Sequence, residues 1–239
     1  MNRVLDIATS ISATLSRFAS GSSVGNLGKR PDKPLELYEF ESCPYCRKAR
    51  EALSILDLEA MIYPCPKRGP RFRAEAVRSG GKAQFPYLVD PNTGKQMYES
   101  DDIVRYLFES YGDGEIPLAL SAGLLTDLTA GLASAFRPTR GIFYEPSRPP
   151  EKPLELYSFE PSPFCRIVRE VLCTLEVPYL LHNLAKGSPR RDAFVARTGR
   201  MRVPYLVDPN TETEMFESAD IETYLRQTYG RGPEASSTA

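Results

Sequence analysis

The chain has 239 residues, and its 30 Lys plus Arg against 31 Asp plus Glu give a net charge of −1, so no global field holds it to nucleic acid or another polyanion. No stretch is apolar and uncharged over the roughly 20 residues that a membrane-spanning helix needs, and the nearest, 116–136, carries Asp127 and several hydroxyls. Five cysteines are too few and too odd in number for a secreted disulfide framework, while the single histidine, His182, excludes a histidine-rich metal site, a Cys-His pair or a Ser-His-Asp triad in each half.

Residues 1–34 open with Val4, Ile7, Ile11, Leu15 and Phe18 at steps of three and four, a stripe that predicts a short amphipathic helix before a connector. Leu35 to Phe40 alternates and is rich in aliphatic and aromatic residues, which predicts a strand. Cys43 to Leu56 carries Ala49, Ala52, Leu53 and Leu56 at helical spacing, with Pro44 in the first turn, where proline is tolerated. A second strand ends near Tyr63, and a basic loop with Lys67, Arg68, Arg71 and Arg73 leads into a helix. Tyr87 to Asp90 and Lys95 to Tyr98 then flank Pro91-Asn-Thr-Gly94, a turn sequence suited to a hairpin. A last helix from about Ser100 to Ser110 closes the unit with Ile103, Leu107 and Phe108 on one side.

Residues 113–153 repeat the opening, with Leu125, Leu128, Leu132 and Phe136 as a second stripe ahead of a connector. The Ser-rich N-terminus has the composition of an organellar targeting peptide. Recurrence of its pattern in mid-chain argues instead for a structural helix. From residue 154 the first unit returns in order. Lys33-Pro-Leu-Glu-Leu-Tyr recurs as Lys152-Pro-Leu-Glu-Leu-Tyr, Cys43-Pro-Tyr-Cys-Arg as Ser162-Pro-Phe-Cys-Arg, and Pro86 to Thr93 unchanged as Pro204 to Thr211. The order strand, helix, strand, helix, strand, strand, helix predicts an α/β chain of two tandem thioredoxin-like domains, 35–112 and 154–230, each preceded by an amphipathic helix. A disordered tail is expected over 231–239.

Cys43 falls where a strand ends and a helix begins, so unpaired helix N–H groups and the helix dipole favour its thiolate. A free thiol has a pKa of about 8.5, and Cys-x-x-Cys motifs reach about 3.5–7. With a Brønsted slope of about 0.4–0.5, the gain in thiolate is nearly cancelled by lower nucleophilicity, so the benefit lies in leaving-group ability. Cys46, one turn on, is the candidate to resolve a mixed disulfide on Cys43. In the second copy Ser162 replaces the nucleophile and Cys165 remains, which leaves one sulfur where dithiol exchange needs two. Cys65, Cys173 and His182 are read as core residues, His182 with no partner in view.

Cys43-Pro-Tyr-Cys46, Phe85-Pro86 and Glu99-Ser100 together resemble the glutaredoxin family and the glutathione-binding N-terminal domain of glutathione S-transferases. The resemblance implies a cis Pro86, with the Phe85 backbone pairing with the cysteinyl part of glutathione. A cis bond turns a backbone N–H and C=O toward a ligand in a way that a trans bond does not. It further implies that Glu99 and Ser100 hold the γ-glutamyl group and that Pro44 and Tyr45 flank the tripeptide. Val203, Pro204, Glu217 and Ser218 keep the same pattern in the second copy, and Arg71 or Lys67 is the candidate for the glycine carboxylate. The implied function is a glutathione-dependent thiol-disulfide oxidoreductase that deglutathionylates protein or small-molecule disulfides. Its catalytic residues would be Cys43 and Cys46, with Ser162, to hold a glutathione thiolate, and Cys165, to take a glutathionyl group, as the candidates in the second copy. Glutathione would be co-substrate, with no metal and a reducing, cytoplasmic setting. Two alternatives stand beside it. One is a glutathione transferase using Ser162 or Cys43, although no helical domain to hold an electrophile follows either unit. The other is a non-catalytic glutathione-binding module.

Overall fold

The computed structural model describes residues 3–15, 19–121, 137 and 139–231. The predicted second stripe, 125–136, with Phe18 and the tail from 232, lies outside the described residues. The first unit consists of β1 (Leu35–Glu39), α2 (Pro44–Ile55), β2 (Ala60–Pro64), α3 (Phe72–Gly80), β3 (Tyr87–Asp90), β4 (Lys95–Met97) and α4 (Ser100–Tyr111). The second consists of β5 (Leu154–Ser158), α6 (Pro163–Thr174), β6 (Tyr179–Asn183), α7 (Arg191–Thr198), β7 (Tyr205–Asp208), β8 (Thr213–Phe216) and α8 (Ser218–Tyr229). Helix α1 (Arg3–Leu15) precedes the first unit, and the single turn α5 (Leu118–Ser121) follows it.

Strand alternation separates two layers. Leu35 and Leu37 of β1 pack with Ala49, Ala52, Leu53 and Leu56 of α2 and its C-cap, and with Ile103 and Leu107 of α4. Tyr38 points the other way, into a smaller cluster with Cys65, Ala76 and Tyr87 under α3. The two units share one eight-stranded sheet in the order β4-β3-β1-β2-β6-β5-β7-β8. Its centre is an antiparallel seam between the units, with Ala60 opposite Leu181, Met61 opposite Leu180 and Ile62 opposite Tyr179. This pairing covers an edge that each unit would otherwise expose, and the main apolar core runs across it without a break.

Behind the seam lies a buried ionic quartet built from equivalent positions of the repeat. Arg50 meets Glu160 at 3.0 Å and Glu41 at 3.4 Å, while Arg169 meets Glu41 at 3.1 Å and Glu160 at 3.0 Å. The connectors follow the same pseudo-twofold. The Gly21 carbonyl accepts from Ser54 Oγ at 2.8 Å, and the Gly141 carbonyl accepts from Cys173 Sγ at 3.2 Å. Gly141 has φ 63°, and a Cβ there would lie 2.9 Å from that of Glu41, so close approach and backbone conformation both call for glycine.

Helix α1 forms as its periodicity predicts but buries the opposite face. Val4 and Leu15 are 73% and 67% exposed, whereas Asp6, Ser10 and Ala13 are buried. The reason is the surface it meets on the second unit, which is polar. Ser10 Oγ donates to the Pro163 carbonyl at 2.9 Å, Thr14 Oγ1 donates to that of Pro161 at 2.7 Å, and Arg166 donates to the Ser10 carbonyl at 2.6 Å.

The segment repeated without change, Pro86 to Thr93, has a structural reason. Asp90 ends β3, accepts the Asn92 N–H at 2.8 Å and takes the hydroxyls of Tyr106 and Tyr111 from α4, both at 2.5 Å. Asp208 does the same with Asn210, Tyr224 and Tyr229. Burial pushes the Asp90 carboxyl up, but these hydrogen bonds outweigh it and hold the pKa below the usual range. Its contribution is therefore present above the unfolded value of about 4 and is lost as pH falls through its own lower one. Asp90→Ala should cost about 3 kcal/mol, because two hydroxyls and a turn amide lose a charged acceptor. Urea unfolding followed by circular dichroism checks this, and the cost should shrink toward zero in acid.

Candidate active site

β1 feeds Cys43 directly into α2. The Cys43 N–H donates to the Phe40 carbonyl at 3.0 Å, and Cys43 itself is extended (φ −71°, ψ 122°) as the N-cap. Its Sγ accepts the Cys46 N–H at 3.3 Å, which is the ordinary hydrogen bond of a capping side chain made by sulfur. The Phe85-Pro86 bond is cis, and the Phe85 carbonyl lies 3.9 Å from Cys43 Sγ. Glu99 caps α4 with φ 63°, a left-handed conformation uncommon for its type, and Ser100 begins the helix. Gln84 Nε2 donates to Glu99 Oε1 at 2.6 Å. Pro44 is half-buried and Tyr45 is 50% exposed at the rim.

The two thiols are driven apart. Hydrogen bonding from Cys46 holds Cys43 below the usual thiol range, against burial, which pushes it up. Burial first, and then its bond to Cys43, push Cys46 well above that range. Cys43 thus gives up its proton more readily than Cys46 does, the order that a nucleophile and a resolver would need. Cys65 and Cys173 are fully buried and pushed up by burial, which suits them as inert core thiols.

Glu39, at the end of β1, is also buried and salt-bridged to Arg50. Desolvation raises its pKa to about 7 despite that partner, because Arg50 is shared with Glu41 and Glu160. Glu160, equally buried but surrounded by Arg169, Arg50, Arg47 and Arg166, is lowered to about 2.

The basic loop corrects one expectation. Arg71 does not face the site: it donates to the carbonyls of Leu175 at 3.2 Å, Glu176 at 2.9 Å and Ser147 at 2.8 Å, clamping the two units together. Lys67 meets the connector through its backbone, its N–H donating to Ile142 and its carbonyl accepting from Tyr144. Arg73 is the residue beside the cis-proline. Its Nε donates to the Cys65 and Pro66 carbonyls at 3.0 and 2.7 Å, and its guanidinium lies 4.7 Å from the centre of the Phe85 ring. His182 has partners after all, with Glu59 at 2.6 Å, Glu155 at 3.2 Å and the ring of Tyr157 stacked on it.

The second unit repeats the geometry with oxygen for sulfur. Ser162 is extended (φ −64°, ψ 120°), and its Oγ accepts the Cys165 N–H at 3.3 Å. Val203-Pro204 is cis, Glu217 has φ 72°, and Ser218 begins α8. Cys165 is fully buried. A cleft of about 640 Å³ opens here, lined by Ser162, Phe164, Arg191, Val203, Glu217 and Ser218, with Thr14 of α1 on its far wall. Arg191 donates to the Leu184 carbonyl at 3.2 Å and so occupies the place of Arg73. The two stand at the 118-residue offset that also relates Pro86 to Pro204 and the helix C-caps Gly81 and Gly199, one residue less than the offset between Cys43 and Ser162.

Two thioredoxin-like domains in tandem, each with a cis-proline opposite a helix N-terminus, define the class of this protein. The chain belongs to the family described as glutathione S-transferase, N-terminal domain, whose model matches it twice, over residues 37–115 and 156–234. No curated protein and no solved structure matches it. The family ties both units to glutathione chemistry.

Proposed function

We propose that this protein is a glutathione-dependent thiol-disulfide oxidoreductase of the glutaredoxin type, working at Cys43. The observation that carries this reading is the Cys43 thiol, capping α2 opposite cis-Pro86 and held below the ordinary thiol range. The Cys43 thiolate attacks the glutathionyl sulfur of a mixed disulfide, and the substrate thiolate leaves and is protonated by solvent. The new Cys43–glutathione disulfide is then opened by a second glutathione, which departs as glutathione disulfide, or by Cys46. Glutathione would lie with its γ-glutamyl group on Ser100, Glu99 and the free N–H groups of α4. Its cysteinyl backbone would meet Phe85, flanked by Pro44 and Tyr45, and its glycine carboxylate would meet Arg73. The second unit, with Ser162 in place of the nucleophile and Cys165 buried, binds without exchanging. Substrates are glutathionylated proteins or small molecules in a reducing, cytoplasmic setting.

Glutathione-dependent reduction of a small glutathione mixed disulfide tests this. Wild-type protein should turn over and Cys46→Ser should keep part of that rate, while no turnover in wild type would sink the reading. Arg73→Ala should raise the KM for glutathione at least about tenfold at nearly unchanged kcat, as expected for losing a charged hydrogen bond of about 1.5–3 kcal/mol. One observation favours a second reading. Ser162 Oγ takes an amide N–H as acceptor, so its own hydrogen is free to donate to a glutathione thiolate in the second cleft. Conjugating activity that survives Cys43→Ser would support a transferase there.

A further inference from the structure

We infer that Glu39 is the proton acceptor for Cys46 when that thiol closes onto Cys43; this rests on the reading of Cys43 and Cys46 as the reacting pair. β1 directs Leu35 and Leu37 toward α2, and its period of two puts Glu39 on the same face, at the end nearest the active site. On α2, Cys46 and Arg50 are one turn apart and share a side, and Arg50 is the residue that Glu39 grips. The Cys46 sulfur meets the backbone of Phe40, next in sequence to Glu39. The carboxylate thus lies in the layer directly beneath the resolving thiol.

The repeat shows that the fold does not require a carboxylate here. Arg169 is the counterpart of Arg50, and Ser158 that of Glu39. There a hydroxyl suffices, with Arg169 Nη1 donating to Ser158 Oγ at 3.3 Å. The copy that lacks the nucleophilic cysteine also lacks the carboxylate; the copy that has one has both. Cys46 has no exposed surface, so its proton needs an acceptor inside the protein. The charged and titratable groups facing Glu39 are Arg50, Cys43 and Cys46 from α2, Glu41 from the loop after β1, and Cys65 after β2. Glu160, Arg169, Cys173 and Tyr179 face it from the second unit. Burial and two neighbouring carboxylates against two arginines leave Glu39 with an affinity for protons near neutrality.

In the step, the Cys46 S–H proton passes to the Glu39 carboxylate and the Cys46 sulfur attacks Cys43 Sγ. The Cys43–Cys46 disulfide forms as the bond to the outgoing thiolate breaks, and that thiolate carries away the electron pair. Glu39 later returns its proton to solvent.

The test uses Ellman's reagent on the whole protein, with no glutathione and no turnover. Loading of Cys43 releases one thionitrobenzoate, and closure by Cys46 releases the second; Cys46→Ser, which should stop after the first, identifies the phases. Wild-type closure should rise with pH and level off above neutrality. Glu39→Ser, which copies the second unit, should close about a hundredfold more slowly at pH 7 and keep rising with pH without a plateau. Its loading phase should not be slowed, and Glu39→Asp should restore part of the closure rate. Glu39→Gln keeps an acceptor for Arg50 and should behave like the serine variant. Closure in both variants at the wild-type rate and pH profile would overturn the inference. So would wild-type protein that loads and never closes, even with glutathione turnover intact. Normal closure in a protein without glutathione turnover would instead refute the proposed function and leave Glu39 its role.

Discussion

Cys43→Ser is expected to lower glutathione-dependent disulfide reduction to the uncatalysed background. A hydroxyl can occupy the N-cap as well as a thiolate, as Ser162 does in the second unit with the same 3.3 Å bond to an amide. What it cannot do is form a bond to sulfur that a second thiol then exchanges. The substitution is therefore conservative for the fold and decisive for the chemistry, and it should leave the unfolding midpoint nearly unchanged. Cys46→Ser differs in kind: it removes the intramolecular route and leaves glutathione itself to open the mixed disulfide. Iodoacetamide offers a parallel measurement on wild-type protein. Because hydrogen bonds hold Cys43 below the usual thiol range, its alkylation should stay fast as pH falls below about 8.5, the value of a free thiol. It should slow only when pH passes through the lower pKa of Cys43. Turnover that persists in Cys43→Ser would move the chemistry to the second unit.

Much of this was legible because the repeat wrote each local feature twice. The strand-to-helix junction at Cys43, the turn at Pro91 to Gly94 and the paired helices at Ser100 and Ser218 all rest on local chemistry, namely capping, turn residues and alternation. What was not legible depends on the other unit. Helical spacing in α2 singled out Ala49, Ala52, Leu53 and Leu56, which are buried, yet Arg47, Lys48, Arg50 and Glu51 are buried as well. No pattern within α2 distinguishes a solvated charge from one that will meet Glu160 of a domain more than a hundred residues on. Arg71 read as a ligand for a carboxylate for the same reason: a basic loop looks alike whether it meets a small molecule or the carbonyls of Leu175 and Glu176. The α1 stripe misleads in the opposite direction, since the surface it docks on rewards Ser10 and Thr14 rather than Val4 and Leu15.

Glu160→Ala should destabilise the whole chain by about 3–5 kcal/mol, the range for removing one partner from a buried ionic cluster. Glu160 bonds both Arg50 and Arg169 at 3.0 Å, closer than Glu41 does at 3.4 and 3.1 Å. Without it Arg169 is left with Glu41, which Arg50 also contacts beside Glu39, and the two buried guanidiniums face each other's charge. The loss should fall on both units, because the cluster spans the seam and the apolar core beneath it is continuous. The chain has no tryptophan, so circular dichroism and tyrosine fluorescence are the probes, and in wild type their urea transitions should coincide. The pH dependence separates this from a packing defect. The Glu160 pKa is lowered to about 2, chiefly by Arg169 and Arg50 overcoming burial. The stabilisation is thus complete above the unfolded value of about 4.3 and fades as pH falls through about 2. The difference between wild type and Glu160→Ala should therefore be flat from pH 5 to 8 and narrow only in strong acid. Glu160→Gln, which keeps the volume and an acceptor oxygen, should recover only part of the loss. A cost below about 1 kcal/mol, as for an exposed pair, or two separate transitions in wild type, would show that the quartet does not bind the units into one cooperative body.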